Sequence, residues 1–187
     1  MKWNIPNTLT LLRILLIPVF VIAFYLPDYG WNNILTTSIF FIAGISDWFD
    51  GYLARKLNQQ SAFGTFLDPV ADKLMVATAL VLLVGADPRA YMAVPAAVII
   101  GREIAVSALR EWMANVGDTT KVKVSLIGKI KTTAQMLAIG MLLYVEPVGM
   151  FPTNEVGYTL LYLAAALTLW SMIIYLQASW ASLTRDA

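Results

Sequence analysis

Apolar residues run through this chain in six stretches, about Asn7–Leu26, Ile34–Arg55, Phe66–Val84, Tyr91–Trp112, Ile127–Val145 and Val156–Trp180. Each is close to the roughly 20 residues that an α-helix needs to cross a hydrocarbon core. Turn-forming clusters separate them: Pro27-Asp28-Tyr29-Gly30, Gly85-Ala86-Asp87-Pro88 and Glu146-Pro147-Val148-Gly149. Asn115–Ser125 is polar and basic and makes the one sizeable loop. The pattern predicts an all-α, polytopic membrane protein with six transmembrane helices. Tight loops leave no room for a second domain, so residues 1–187 are expected to form one. Arg13 interrupts the first apolar run, and no cleavable signal pattern is visible.

Polar positions inside these stretches change the picture. Only the last is free of charge throughout, from Val156 to Thr184. The charge-free runs Leu74–Ala86, Ala90–Gly101 and Thr132–Val145 are 12 to 14 residues long, too short for a full crossing. They are completed by Asp68, Asp72 and Lys73; by Arg102, Glu103, Arg110 and Glu111; and by Lys129 and Lys131. The second span carries Asp47, Asp50 and Arg55 in its final third, and the first carries Arg13 near its start. Odd-numbered spans are charged at their beginning, and spans two and four at their end. Alternating direction therefore brings these charges to one membrane face. Of 13 Lys and Arg, all but Arg89 fall on that side, while the opposite loops hold Asp28, Asp87, Glu146 and Glu155. The positive-inside rule makes that face, and both termini, cytoplasmic. A single charge near a helix end can snorkel to the interface, but five helices charged two or more turns deep point to a wet, functional cavity.

Composition narrows the chemistry. The chain is 59% hydrophobic and 13% charged, against about 45–50% and 25% for soluble domains. It has no cysteine and no histidine. Thiolate chemistry, imidazole bases and the usual zinc ligands are excluded, leaving carboxylates and the hard cations they favour: magnesium, manganese or calcium. A net charge of +1 argues against a nucleic-acid partner, which a basic excess would serve.

The densest chemical signal is Asp47-Trp-Phe-Asp50-Gly51-Tyr-Leu-Ala54-Arg55, followed by Gly64-Thr-Phe-Leu-Asp68-Pro-Val-Ala-Asp72. Spacings of three and four put each aspartate pair on one helix face. The polar linker Lys56–Ala62 makes the two helices antiparallel neighbours, so the pairs can face each other. Four converging carboxylates repel unless a cation lies between them. Two divalent ions bridged by shared carboxylates suit displacement at phosphorus, and a single calcium or a proton relay would also neutralise the cluster. Gly51 leaves a gap for a ligand to approach backbone, Gly64 permits close helix packing, and Arg55 offers a planar fork suited to phosphate. Pro69 is expected in the first turn of the third helix, taken to begin near Leu67.

These residues resemble the signature of the CDP-alcohol phosphotransferases, Asp-x-x-Asp-Gly-x-x-Ala-Arg, eight residues, then Gly-x-x-x-Asp-x-x-x-Asp. Asp47, Asp50, Gly51, Ala54, Arg55, Gly64, Asp68 and Asp72 all match. The resemblance implies a six-helix membrane enzyme, usually a homodimer, that breaks the phosphoanhydride of a CDP-linked lipid or alcohol. It implies two divalent cations, Mg2+ or Mn2+, on Asp47, Asp50 and Asp68, with Asp72 also touching metal and acting as base. It places Asn7, Thr10, Gly51, Ala54, Arg55 and Ser61 with the CDP-linked donor.

The acceptor is read from the remaining buried cations. Arg102, Arg110, Lys129 and Lys131 outnumber Glu103 and Glu111 in spans four and five, and internal ion pairing is the alternative use for them. The excess suits an acceptor carrying its own phosphate. Asn4–Arg13, Gly101–Glu103, Ala108–Trp112, Gly128–Met136 and Leu169–Ser171 are similar to the bacterial branch of the family that forms phosphatidylglycerol phosphate. That branch implies CDP-diacylglycerol as donor, sn-glycerol 3-phosphate as acceptor, and an inner-membrane enzyme with its active site facing the cytoplasm. Competing readings are the same chemistry on another acceptor such as phosphatidylglycerol, a cation channel or carrier, and a non-catalytic assembly protein.

Overall fold

Helices stand where the apolar stretches predict them: α1 (Ile5–Tyr25), α2 (Asn32–Lys56), α3 (Ala62–Ala86), α4 (Ala90–Asn115), α5 (Leu126–Tyr144) and α6 (Thr153–Leu183). The structure, a computed structural model, describes residues 5–27, 31–56, 62–115 and 126–183. Among these, strand-type pairing is confined to one isolated bridge between Val148 and Phe151 in the α5–α6 turn. Asn7–Tyr25, Phe66–Ala86, Ala90–Asn115 and Thr153–Gln177 are long and apolar enough to cross a membrane, and Asn32–Ser46 of α2 is a shorter apolar helix.

One boundary differs from expectation. Because α3 begins at Ala62, Pro69 lies inside the helix rather than in its first turn. Pro18 and Pro95 are likewise interior to α1 and α4. Each proline removes one backbone hydrogen bond. Breaking the helix instead would expose several more peptide groups to an environment with little water, which costs more.

The main packing contacts join α5 to α6, α1 to α2, α4 to α6 and α1 to α3, with α2 also against α5. Every helix contributes to one apolar core: Phe20, Phe40, Leu80, Ile99, Ile139 and Leu161 are each 0% exposed. Large apolar side chains such as Leu15, Ile22, Val81 and Trp170 also cover the outside, as expected of helices whose surroundings are lipid. The α2–α5 contact is close because glycines remove side chains from it. A Cβ on Gly140 would run into the ring of Phe41, whereas one on Gly44 would meet only the terminal methyl of Met136.

At the end of the bundle away from the aspartate motif, the α3–α4 turn is tied to α6 through Asp87. Its carboxylate accepts from Arg89 Nε at 2.7 Å and Nη2 at 2.8 Å, from Tyr91 Oη at 2.6 Å and from Tyr158 Oη at 2.8 Å. The Tyr91 and Tyr158 rings meet edge-on at 4.7 Å, and the Arg89 guanidinium lies 4.4 Å from the centre of the Tyr91 ring. The Arg89 guanidinium first, and the Tyr91 hydroxyl next, hold the Asp87 carboxyl well below the usual carboxylate range.

Gly140→Ala should lower the melting temperature in detergent, at about 1–3 kcal/mol for overpacking against a ring. Gly44→Ala should cost less, because a thioether end moves easily. Asp87→Asn should also melt lower than wild type at pH 7. Since the folded carboxyl is shifted down, its stabilisation is complete above the unfolded value of about 3.9 and fades as pH falls below it. A melting series from pH 7 to 3 should therefore show the two proteins converging at the acid end.

Candidate active site

Asp68 and Asp72 stand one helical turn apart on α3, which puts both carboxylates on one face. Asp68 is half-buried and Asp72 exposed. Across the α1–α3 contact, Thr10 Oγ1 donates to Asp68 Oδ1 at 2.6 Å. Thr10 belongs to a polar stripe of α1, with Asn7 and Arg13 three residues to either side; all three are at most 2% exposed. That spacing faces them into the bundle, while Leu12 and Leu15 point out of it.

The last third of α2 and the first third of α3 adjoin through residues 57–61, so the two halves of the aspartate motif share one end of the bundle. The side chains of Asp47, Asp50, Gly51, Ala54 and Arg55 lie outside the described residues, as does Ser61 altogether. Among the described residues no group of three metal-ligating side chains forms. Asp68 and Asp72 offer hard oxygen donors, which fit a hard divalent cation.

The same end carries the charges of α4 and α5. Lys131 is 4% exposed, and its ammonium donates to Glu103 Oε1 at 2.6 Å. Arg102 donates to the same oxygen at 3.1 Å and to Ser171 Oγ of α6 at 2.8 Å. Ion pairing is thus part of what these residues do. Two cations nonetheless share one carboxylate, so the trio retains one net positive charge. Arg110 lies two turns further along α4, donating to Tyr175 Oη at 2.6 Å with its guanidinium 5.0 Å from that ring's centre. The structure therefore unites Arg102 and Lys131 directly and sends Arg110, which is exposed rather than buried as expected, to α6. The Lys129 side chain is outside the described residues.

Between α3, α4 and α5 a cavity of about 230 Å³ opens beside Asp72. Its polar lining is Asp72, Lys73, Glu103, Thr132 and Gln135, and the rest is aliphatic. Lys73 reaches across to the Ser107 hydroxyl of α4. Sequence spacing did not single out Lys73, Glu103 or Gln135 as site residues. Periodicity places each on a face, but which faces adjoin depends on helix packing.

A model of the CDP-alcohol phosphatidyltransferase family matches residues 3–170. The chain belongs to that family. It is 56% identical over 183 residues to a Haemophilus influenzae protein named CDP-diacylglycerol–glycerol-3-phosphate 3-phosphatidyltransferase, covering 98% of this chain and 97% of that one. A Pseudomonas fluorescens protein of the same name is 54% identical over 184 residues, 98% and 93% of the two chains. One from Salmonella typhi is 51% identical over 179 residues, 96% of each. The Asp-x-x-Asp to Asp-x-x-x-Asp segment lies inside the family match, as does the Glu103–Lys131 pair.

Charge balance within that pair yields a prediction. Glu103→Gln removes the carboxylate from two buried cations and should destabilise the protein by about 3 kcal/mol, read as a lower melting temperature. Lys131→Met should cost less, because Arg102 remains to pair Glu103. Millimolar inorganic phosphate should restore part of the loss in Glu103→Gln and none in Lys131→Met.

Proposed function

We propose that this family member transfers the phosphatidyl group from CDP-diacylglycerol to sn-glycerol 3-phosphate, giving phosphatidylglycerol phosphate and CMP. The observation that carries this reading is 51–56% identity, over nearly the whole chain, to proteins bearing that enzyme name. The intact set Asp47, Asp50, Asp68 and Asp72 and the cavity beside Asp72 support the chemistry. Residues 1–187 then form one domain with six membrane crossings, working as a homodimer in the inner membrane with both termini and the active site on the cytoplasmic side.

In this mechanism Asp47, Asp50, Asp68 and Asp72 would hold two divalent cations, Mg2+ or Mn2+, whose chemistry is to neutralise the donor diphosphate and the departing CMP. Arg55 and the backbone at Gly51 fix the nucleotide end, with Ala54 leaving room beside them. Ser61 and Asn7 complete the donor side, with Thr10 behind them at the buried start of α1. Arg102, Arg110, Lys129 and Lys131 attract the acceptor phosphate with their surplus charge. Asp72 takes the proton of the acceptor hydroxyl, whose oxygen bonds to the phosphorus bearing diacylglycerol. The bond from that phosphorus to the CMP oxygen breaks, and CMP leaves with the electron pair. Positioning and electrostatics in a site of reduced dielectric supply most of the rate.

The test is CMP release by purified protein given CDP-diacylglycerol and a panel of alcohols. Release should require glycerol 3-phosphate, stop with a chelator and return with Mg2+ or Mn2+. Asp72→Asn should lower kcat by roughly 10²–10⁴-fold. Release with phosphatidylglycerol in place of glycerol 3-phosphate would reassign the acceptor, and full activity in excess chelator would remove the metal centre.

A further inference from the structure

We infer that Thr10 is a positioning residue for Asp68, fixing that carboxylate in the orientation in which it meets a divalent cation; the inference rests on the metal reading above. The two residues are 58 positions apart in sequence and on different helices, yet Thr10 Oγ1 lies 2.6 Å from Asp68 Oδ1. A helix backbone sets where an aspartate projects, but the final torsion of its carboxylate is broad and weakly determined. A hydroxyl held on a neighbouring helix removes that freedom. Bonding one oxygen selects the plane of the carboxylate and leaves the other oxygen aimed by it.

Burial decides between this role and direct contact with the donor. Thr10 is 0% exposed, so it presents no surface to a nucleotide. A threonine hydroxyl has a single proton to donate, and here Asp68 receives it. Thr10 therefore acts on the donor side through Asp68. Outer partners of this kind typically change metal affinity 10–100-fold when removed. A purely structural role, pinning α1 to α3, would change stability and leave metal affinity alone.

The experiment measures Mn2+ binding to the full-length protein in detergent by the electron paramagnetic resonance signal of free Mn2+. It compares wild type with Thr10→Ser, Thr10→Cys and Thr10→Val. Serine keeps the donor, cysteine offers a weak one, and valine keeps the shape without any. The chain has no cysteine of its own, so the introduced thiol has no partner for an intramolecular disulfide. Mn2+ affinity should follow Ser ≈ wild type > Cys > Val, with valine about 10–100-fold weaker. The metal concentration for half-maximal CMP release should shift in parallel, while KM for CDP-diacylglycerol at saturating metal stays constant. If valine does not fold, the Ser–Cys difference carries the same test. Equal Mn2+ affinity across the series overturns the inference, as does a raised donor KM with unchanged metal affinity. A wild-type protein that binds no Mn2+ and stays active in chelator overturns the metal reading itself, and this inference with it.

Discussion

Lys131 sits almost wholly inside the bundle, and one oxygen of Glu103 holds its ammonium there at 2.6 Å. An ammonium so far from water is tolerable only with a partner in good geometry, and that requirement organises the surrounding helices. Lys131 is on α5 and Glu103 on α4, two helices whose backbones do not pack against each other, so the pair bridges the gap between them. Arg102 shares the same carboxylate and extends the tie to Ser171 on α6. Glu103 also lines the cavity beside Asp72. The register that satisfies Lys131 is therefore the register that places a net positive trio next to the aspartates of α3.

The two ends of the bundle solve different problems. Away from the aspartates, Asp87 receives four side-chain hydrogen bonds and is saturated by Arg89, Tyr91 and Tyr158, which closes the α3–α4 turn onto α6. Between the ends, an apolar core from all six helices leaves little freedom, with Gly140 letting α5 approach Phe41 of α2. At the aspartate end, Arg102 and Lys131 share the one carboxylate of Glu103, and a cavity remains. A packed middle and a closed far end leave the cavity and the Arg102–Glu103–Lys131 trio together at the aspartate end.

Much of this was legible in the sequence because membranes impose strong rules. Six helices appear at the six apolar stretches, with ends moved by a few residues, since length and hydropathy decide them together. Charges grouped in odd and even spans foretold that Asp68, Glu103 and Lys131 would share one end. Pro69 misled, because its usual place in a first helical turn is a preference of helices in water. The pairings of side chains were not legible. Thr10 could be recognised as part of a motif, but its hydrogen bond to Asp68 depends on how α1 lies against α3. Likewise, counting four cations in two spans does not say that Arg102 and Lys131 share Glu103 while Arg110 turns to Tyr175.

In the proposed topology the charge-bearing helix ends lie together on the cytoplasmic side, with the Asp87 end on the other. Single cysteines test it directly, because the native chain has none. Glu111→Cys marks the charged end of α4, and Met150→Cys marks the fully exposed turn between α5 and α6. A membrane-impermeant maleimide applied to sealed vesicles of both orientations should label Glu111→Cys only from the cytoplasmic side and Met150→Cys only from the opposite side. Labelling of both positions from the same side, or the reverse assignment, would contradict the account.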